Sequence, residues 1–382
     1  MIPYGKHQID NNDIEAVVDV LQNQFLTQGK QVPKFEKALS EYTGAEYALA
    51  VNSATSALHV ACLALGIGQG DIVWTSPITF VASANCIRFC DAEVDFVDID
   101  PTTRNLCSRA LLDKLKRAKQ DNQLPKAIIC VHFAGISCDM RQIHQICQDY
   151  GVAIIEDACH ALGGQYLNHK IGNCRYSDFT IFSFHPVKSI TTAEGGALLT
   201  NQVDLIKKAT LYAKHGVTRD PDLIHGQLLD EPWGYQQLTL GYNYRLSDLN
   251  AALGISQLKK LDNFIEKRRQ LAKRYFEKLS HLALVLPQKD ELDNSAWHLF
   301  AIELIDRDRK QVYSALQQLG IGVNVHYIPV HWQPYYQNLG FKKGDFINAE
   351  HYYQHALSLP LYPDMTFEQQ DKVITALEQI IS

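Results

Sequence analysis

The chain has 382 residues, with 36 Lys+Arg against 42 Asp+Glu and a formal net charge of −6. Hydrophobic residues make up 46% and charged residues 20%, a balance that excludes a wholly disordered chain. The acidic charge argues against nucleic acid as a partner, and the absence of any long apolar run or signal-peptide core argues against a membrane.

Nine cysteines are spread through the chain with no CxxC pair. That density is not a disulfide scaffold, and the spacing does not suit a structural zinc site. Cys62, Cys130 and Cys147 sit in apolar stretches and read as reduced, buried thiols of a cytoplasmic protein.

In chain order, two amphipathic helices come first, about Asp10–Gln22 and Val32–Tyr42, suited to packing on the main domain or a partner. Strands follow at Ala48–Asn52, Ile72–Thr75, Val94–Asp98, Ala127–His132, Val152–Glu156, Phe179–Phe182 and Ala197–Thr200. Helices such as Thr55–Leu65 and Met140–Tyr150 lie between them. This alternation predicts an α/β fold with a mostly parallel seven-stranded sheet covered on both faces. A long helix is expected from an N-cap at Ser247 through to Leu279. Beyond Pro287, strands Trp297–Leu304 and Val323–His326 and helices Asp308–Leu319, Asn348–Ala356 and Thr366–Ile381 read as a small α/β domain. The expected division is 1–250, a large domain with its N-terminal helices, and 251–382, a connecting helix with the small domain.

Several segments carry chemistry. Asn52-Ser-Ala-Thr-Ser-Ala57 joins a strand to a helix and leaves amide groups open to a phosphate, unless Ser53 or Thr55 merely caps the helix. Gly66-Ile-Gly-Gln-Gly70 follows a helix instead of a strand, so it is a turn and not a dinucleotide fingerprint. Glu156 and Asp157 end an apolar strand, where α/β sheets bind ligands; Asp157 alone would more simply cap the next helix. Lys188 lies in a short loop of low charge between two buried strands, a setting that lowers an amine's pKa and makes it a nucleophile. Tyr242-Asn-Tyr-Arg-Leu-Ser-Asp248 suits an interface, an anion site or a plain helix start. His326 and His331 flank a proline and do not share a helical face, so no metal is expected there. A phosphate cradle, a carboxylate, a Ser and a Lys at strand ends form the inventory for holding pyridoxal phosphate.

Ser53-Ala-Thr-Ser-Ala-Leu-His59, Ile155-Glu-Asp-Ala-Cys-His160, the segment Ser183–Gly196 and Tyr242–Asp248 together resemble the DegT/StrS sugar aminotransferases, of the fold-type I pyridoxal-phosphate class. The resemblance implies Lys188 as the Schiff-base lysine and Asp157 as partner of the pyridine nitrogen. It implies His160 near the ring hydroxyl, Ala54, Thr55 and Ser183 at the phosphate, and Phe80 stacked on the ring. It implies Asn243 reaching the phosphate of a neighbouring subunit in a homodimer with shared sites, and it places Arg245 and His326 towards substrate. Cys159 stands where the family more often has Ala. Phe25–Gly29, Val325–His331 and Ser358–Pro363 resemble the branch that aminates C4 of UDP-4-keto-6-deoxy-N-acetyl-β-L-altrosamine, on the route to pseudaminic acid, with L-glutamate as amino donor. Rival readings are an amination of the D-gluco-derived UDP-ketone on the bacillosamine or legionaminic-acid routes, a sugar 3-dehydratase, a non-catalytic regulator on the same fold, and a nicotinamide-dependent epimerase. Lys188 disfavours the dehydratase, the Lys188/Asp157 pair the regulator, and the missing fingerprint the epimerase.

Overall fold

A computed structural model describes residues 1–226 and 231–381. The strands are β1 (Tyr47–Val51), β2 (Ile72–Thr75), β3 (Glu93–Phe96), β4 (Ala127–Val131), β5 (Ala153–Asp157), the hairpin β6 (Gln165–Tyr166) and β7 (His169–Lys170), β8 (Phe179–Ser183) and β9 (Gly196–Thr200). Hairpin β10 (Val217–Thr218) and β11 (Gln236–Gln237) follows, and then β12 (Leu284–Val285), β13 (Phe300–Leu304) and β14 (Ala356–Leu359).

The central sheet runs β3-β2-β4-β5-β8-β9-β1. β9 pairs antiparallel with both neighbours, and every other pair is parallel. β4 and β9 are buried at every residue, as strands covered on two faces must be. All seven expected strands are present, with ends displaced by a residue or two.

The N-terminal helices, Asn11–Asn23 and Gln31–Thr43, pack on the helix Asp248–Leu258. One side chain fixes the join. The Asp248 carboxylate accepts from the backbone N–H groups of Gly29 (2.8 Å), Gln31 (2.6 Å) and Val32 (3.3 Å), answering donors that the helix start leaves free. Ser247 caps its own helix as expected, accepting from Asn250 N–H at 3.2 Å.

The expected helix Ser247–Leu279 is two helices, Asp248–Leu258 and Leu261–Leu279. At the break Lys260 N–H turns to the Gln257 carbonyl, three residues back, and its ammonium reaches Asp10 (2.9 Å) and Asp13 (2.5 Å) on the first helix. The second helix joins two cores. Leu261, Phe264 and Ile265 pack beside the sheet, while Leu271, Tyr275 and Phe276 pack in the C-terminal core with Phe300 and Leu357.

Two C-terminal expectations are corrected. Trp297 has a left-handed backbone (φ 46°) and donates its N–H to Ser295 Oγ, so the strand begins only at Phe300. Val323–His326 is not a strand; it makes one isolated bridge, Asn324 to Ser358. The Asn324 side chain takes the Val325 N–H at 2.8 Å, which competes with a ladder. β13 pairs instead with β12 on one side and with β14 on the other, and β14 begins at Ala356, where the sequence reads as a helix end. No helix among the described residues is long and apolar enough to cross a membrane.

Candidate active site

The ends of β5 and β8 and the start of the helix Ala54–Ala64 converge on a cavity of about 650 Å³. This is the edge where open α/β sheets bind ligands. Ala54, Thr55, Phe80, Asp157, His160, Ser183, Lys188 and His326 line it. Asn243 and Arg245 do not. They pair their backbones with Lys214 and Val51 on the same chain.

Ser53 caps the helix, accepting from Ser56 N–H at 3.1 Å. Among the described residues, no acceptor takes the N–H groups of Ala54 and Thr55, so capping and an open anion cradle coexist here. Gly196 makes the approach possible. A Cβ there would lie 2.4 Å from Ala54 N, so only glycine lets the start of β9, paired with Ser183 at the end of β8, lie against the helix start.

Asp157 ends β5 and is buried. Its Oδ2 accepts from Ser83 Oγ at 2.6 Å and its Oδ1 from Cys159 N–H at 3.2 Å. It therefore makes a short local turn and no helix cap. Glu156 faces the other way, bonded to His132 Nε2 at 2.7 Å inside the core. Lys188 sits in the loop between β8 and β9. Burial pulls its amine below the usual lysine range, opposed by Cys159 and Asp157. The neutral amine needed for nucleophilic attack is thereby easier to reach.

Histidines form the opposite wall. Ala134 N–H donates to His160 Nδ1 at 3.3 Å, which places the His160 proton on Nε2, 3.1 Å from the Tyr327 hydroxyl. Gly135 (φ 105°) allows this contact, since a Cβ would meet Trp297 N at 2.9 Å. His326 Nδ1 is 2.8 Å from Ser358 Oγ. His331 turns away from the cavity to Glu350, at 2.9 Å, so the two histidines of that motif have separate partners.

His298 and Tyr327 also line the cavity and were not singled out in the sequence. His298 is buried, its ring 4.3 Å from that of His160. A polar residue near the start of the otherwise apolar run Ala296–Ile302 is the available signal.

Burial, then the Lys188 charge, pushes His326 down to about 3. Burial likewise holds His160 and His298 well below the usual imidazole range. In the unfolded chain such rings take protons near 6.5, so below that pH the unfolded state binds more protons and stability falls as pH falls. For His326 the loss is about 1.4 kcal/mol per pH unit between about 6.5 and about 3. The unfolding midpoint should drop between about pH 7 and about pH 5, with a shallower slope in His326→Gln. An identical slope in the variant would contradict the assignment.

A mostly parallel sheet that gathers a lysine, a buried carboxylate and an open helix start has the architecture of the fold-type I pyridoxal-phosphate-dependent transferases. The chain belongs to the DegT/DnrJ/EryC1/StrS aminotransferase family, whose model matches residues 7–378. It is 39% identical over 390 residues to a UDP-4-amino-4,6-dideoxy-N-acetyl-beta-L-altrosamine transaminase of Campylobacter jejuni, covering all of this chain and 98% of that one. Among solved structures it resembles Helicobacter pylori PseC, an aminotransferase involved in the biosynthesis of pseudoaminic acid, with a TM-score of 0.91, 31% identity and coverage of 100% and 99%. It also resembles the PLP form of the putative sugar aminotransferase Spr1654 of Streptococcus pneumoniae, with a TM-score of 0.89, 28% identity and full coverage of both chains.

Proposed function

We propose that this protein transfers an amino group from L-glutamate to C4 of UDP-4-keto-6-deoxy-N-acetyl-β-L-altrosamine, using pyridoxal phosphate, in pseudaminic acid biosynthesis. The observation that carries the chemistry is the meeting of Lys188, Asp157 and the free amides of Ala54 and Thr55 in one cavity. The sugar rests on the likeness to the Campylobacter jejuni transaminase.

The residues fit the cofactor. Two unpaired amides and the Ser183 hydroxyl suit a phosphate, and Phe80, 60% exposed although it lines the cavity, offers a face for a ring to cover. When bound, pyridoxal phosphate would carry the amino group from donor to ketone on its aldehyde carbon, while its ring would act as the electron sink for the reacting carbon. Lys188 moves the proton at the reacting carbon as general base and then acid, a role its lowered pKa favours. Asp157 provides the negative charge that keeps the ring nitrogen protonated. His160, with its proton on Nε2, is a donor for a ring oxygen.

Asn243 lies outside its own chain's cavity, which suits the role of completing a partner's site in a homodimer; a fully active monomer would contradict that role. Nine unpaired cysteines suit a reducing cytoplasm. The division into 1–250 and 251–382 is retained as a proposal, with Leu261–Leu279 as the element shared by both cores.

The test is a half-reaction. Pyridoxamine-form enzyme is mixed with a panel of nucleotide keto-sugars while cofactor absorbance is followed. The L-altro 4-ketone should react with the highest kcat/KM, because a mismatched epimer leaves buried polar groups unpaired. Preference for the D-gluco-derived ketone would move the protein to the bacillosamine or legionaminic-acid reading. Reaction with only a 3-keto or dTDP-linked sugar would defeat the substrate assignment.

A further inference from the structure

Ser83 is fully buried, polar and on the cavity wall. It lies in the helix Ala82–Phe89. Its Oγ is 2.6 Å from Asp157 Oδ2 and 2.7 Å from Thr79 Oγ1. An ionised carboxylate only accepts, so the single Ser83 proton goes to Asp157. Thr79, itself buried, must then donate to Ser83. The competing acceptor for Ser83, the Phe80 carbonyl, is 3.5 Å away and too distant to hold the proton. The result, for a carboxylate at Asp157, is a directed chain, Thr79 to Ser83 to Asp157. With Cys159 N–H on the other oxygen, each carboxylate oxygen has one donor.

We propose that Ser83 is a positioning residue: its hydroxyl, ordered by Thr79, holds the Asp157 carboxylate fixed in orientation for the ring nitrogen of pyridoxal phosphate. The inference rests on the cofactor reading above. The physical reason is that a carboxylate held by a donor on each oxygen cannot turn without breaking a hydrogen bond. Inside a buried site one such bond is worth more than a neutral one. Without it, the carboxylate keeps one donor of two and can turn from the ring nitrogen, so the charge pair that would keep that nitrogen protonated weakens.

The test uses the full-length protein and pyridoxal phosphate labelled with 15N in the ring. Ser83→Ala should raise the Kd for the cofactor about tenfold. It should also move the ring-nitrogen resonance towards that of neutral pyridine. Ser83→Thr keeps the hydroxyl and should restore both. Thr79→Val leaves Ser83 in place but unordered, and should shift both readouts in the same direction by less; it carries the test if Ser83→Ala does not fold. A wild-type Kd and an unmoved resonance in Ser83→Ala or Thr79→Val would overturn the proposal. So would a Ser83→Thr protein as impaired as the alanine variant, since size and not the hydroxyl would then matter. If the wild-type protein bound no pyridoxal phosphate, the cofactor reading itself would fall, an outcome separate from these.

Discussion

Lys188→Ala should lose turnover by at least about 10⁴-fold, because the proposed reaction uses this one group as both the cofactor's covalent anchor and the proton carrier. Among the described residues no second lysine lines the cavity. Lys170 is held elsewhere, 3.0 Å from both Asp262 and the Tyr42 hydroxyl. No neighbouring amine is therefore placed to substitute. The fold should survive, since the Lys188 side chain makes no hydrogen bond or ion pair with any described residue. Steady-state and single-turnover assays on the variant would check this, alongside an unfolding midpoint close to that of the wild type. Retention of more than about one per cent of the activity would remove Lys188 from the chemistry, given the size of a general-base contribution.

Asp157→Asn should cost about 10²–10³-fold in kcat, the scale of losing one preorganised charge at a reacting centre. The substitution keeps the shape, and the amide oxygen still accepts from Ser83. What it removes is the negative charge that the proposed mechanism gives to the ring nitrogen. On that mechanism the charge would act on the cofactor ring, so the loss should fall on kcat more than on the KM for the sugar. Activity within about threefold of wild type would show that Asp157 has only its local hydrogen bonds to Ser83 and Cys159.

The sheet was legible because its strands are continuous apolar runs, such as Ala127–Val131, bounded by helical patterns. The residues at its edge were legible through motifs, and eight of the ten named sit around the cavity. Less legible were features set by contacts distant in sequence. Lys260 is drawn to Asp10 and Asp13, some 250 residues earlier, and no local periodicity announces the helix break there. β14 follows a helix directly, and its apolar residues continue the helical pattern without a Gly or Pro to mark the change. Ser83 and His298 reach the cavity only once the Ala82–Phe89 helix and the Gly135 turn are packed against it. Asn243 and Arg245 differ from the other named residues in lying beyond their own chain's cavity, where a single-chain pattern has no contact to read.

The most direct test of the account is to identify where the cofactor attaches. The protein is incubated with pyridoxal phosphate, reduced with borohydride, digested and sequenced by mass spectrometry. The account predicts a single modified peptide, carrying the phosphopyridoxyl group on Lys188. A label on Lys170 or Lys214, or no label at all, would contradict it.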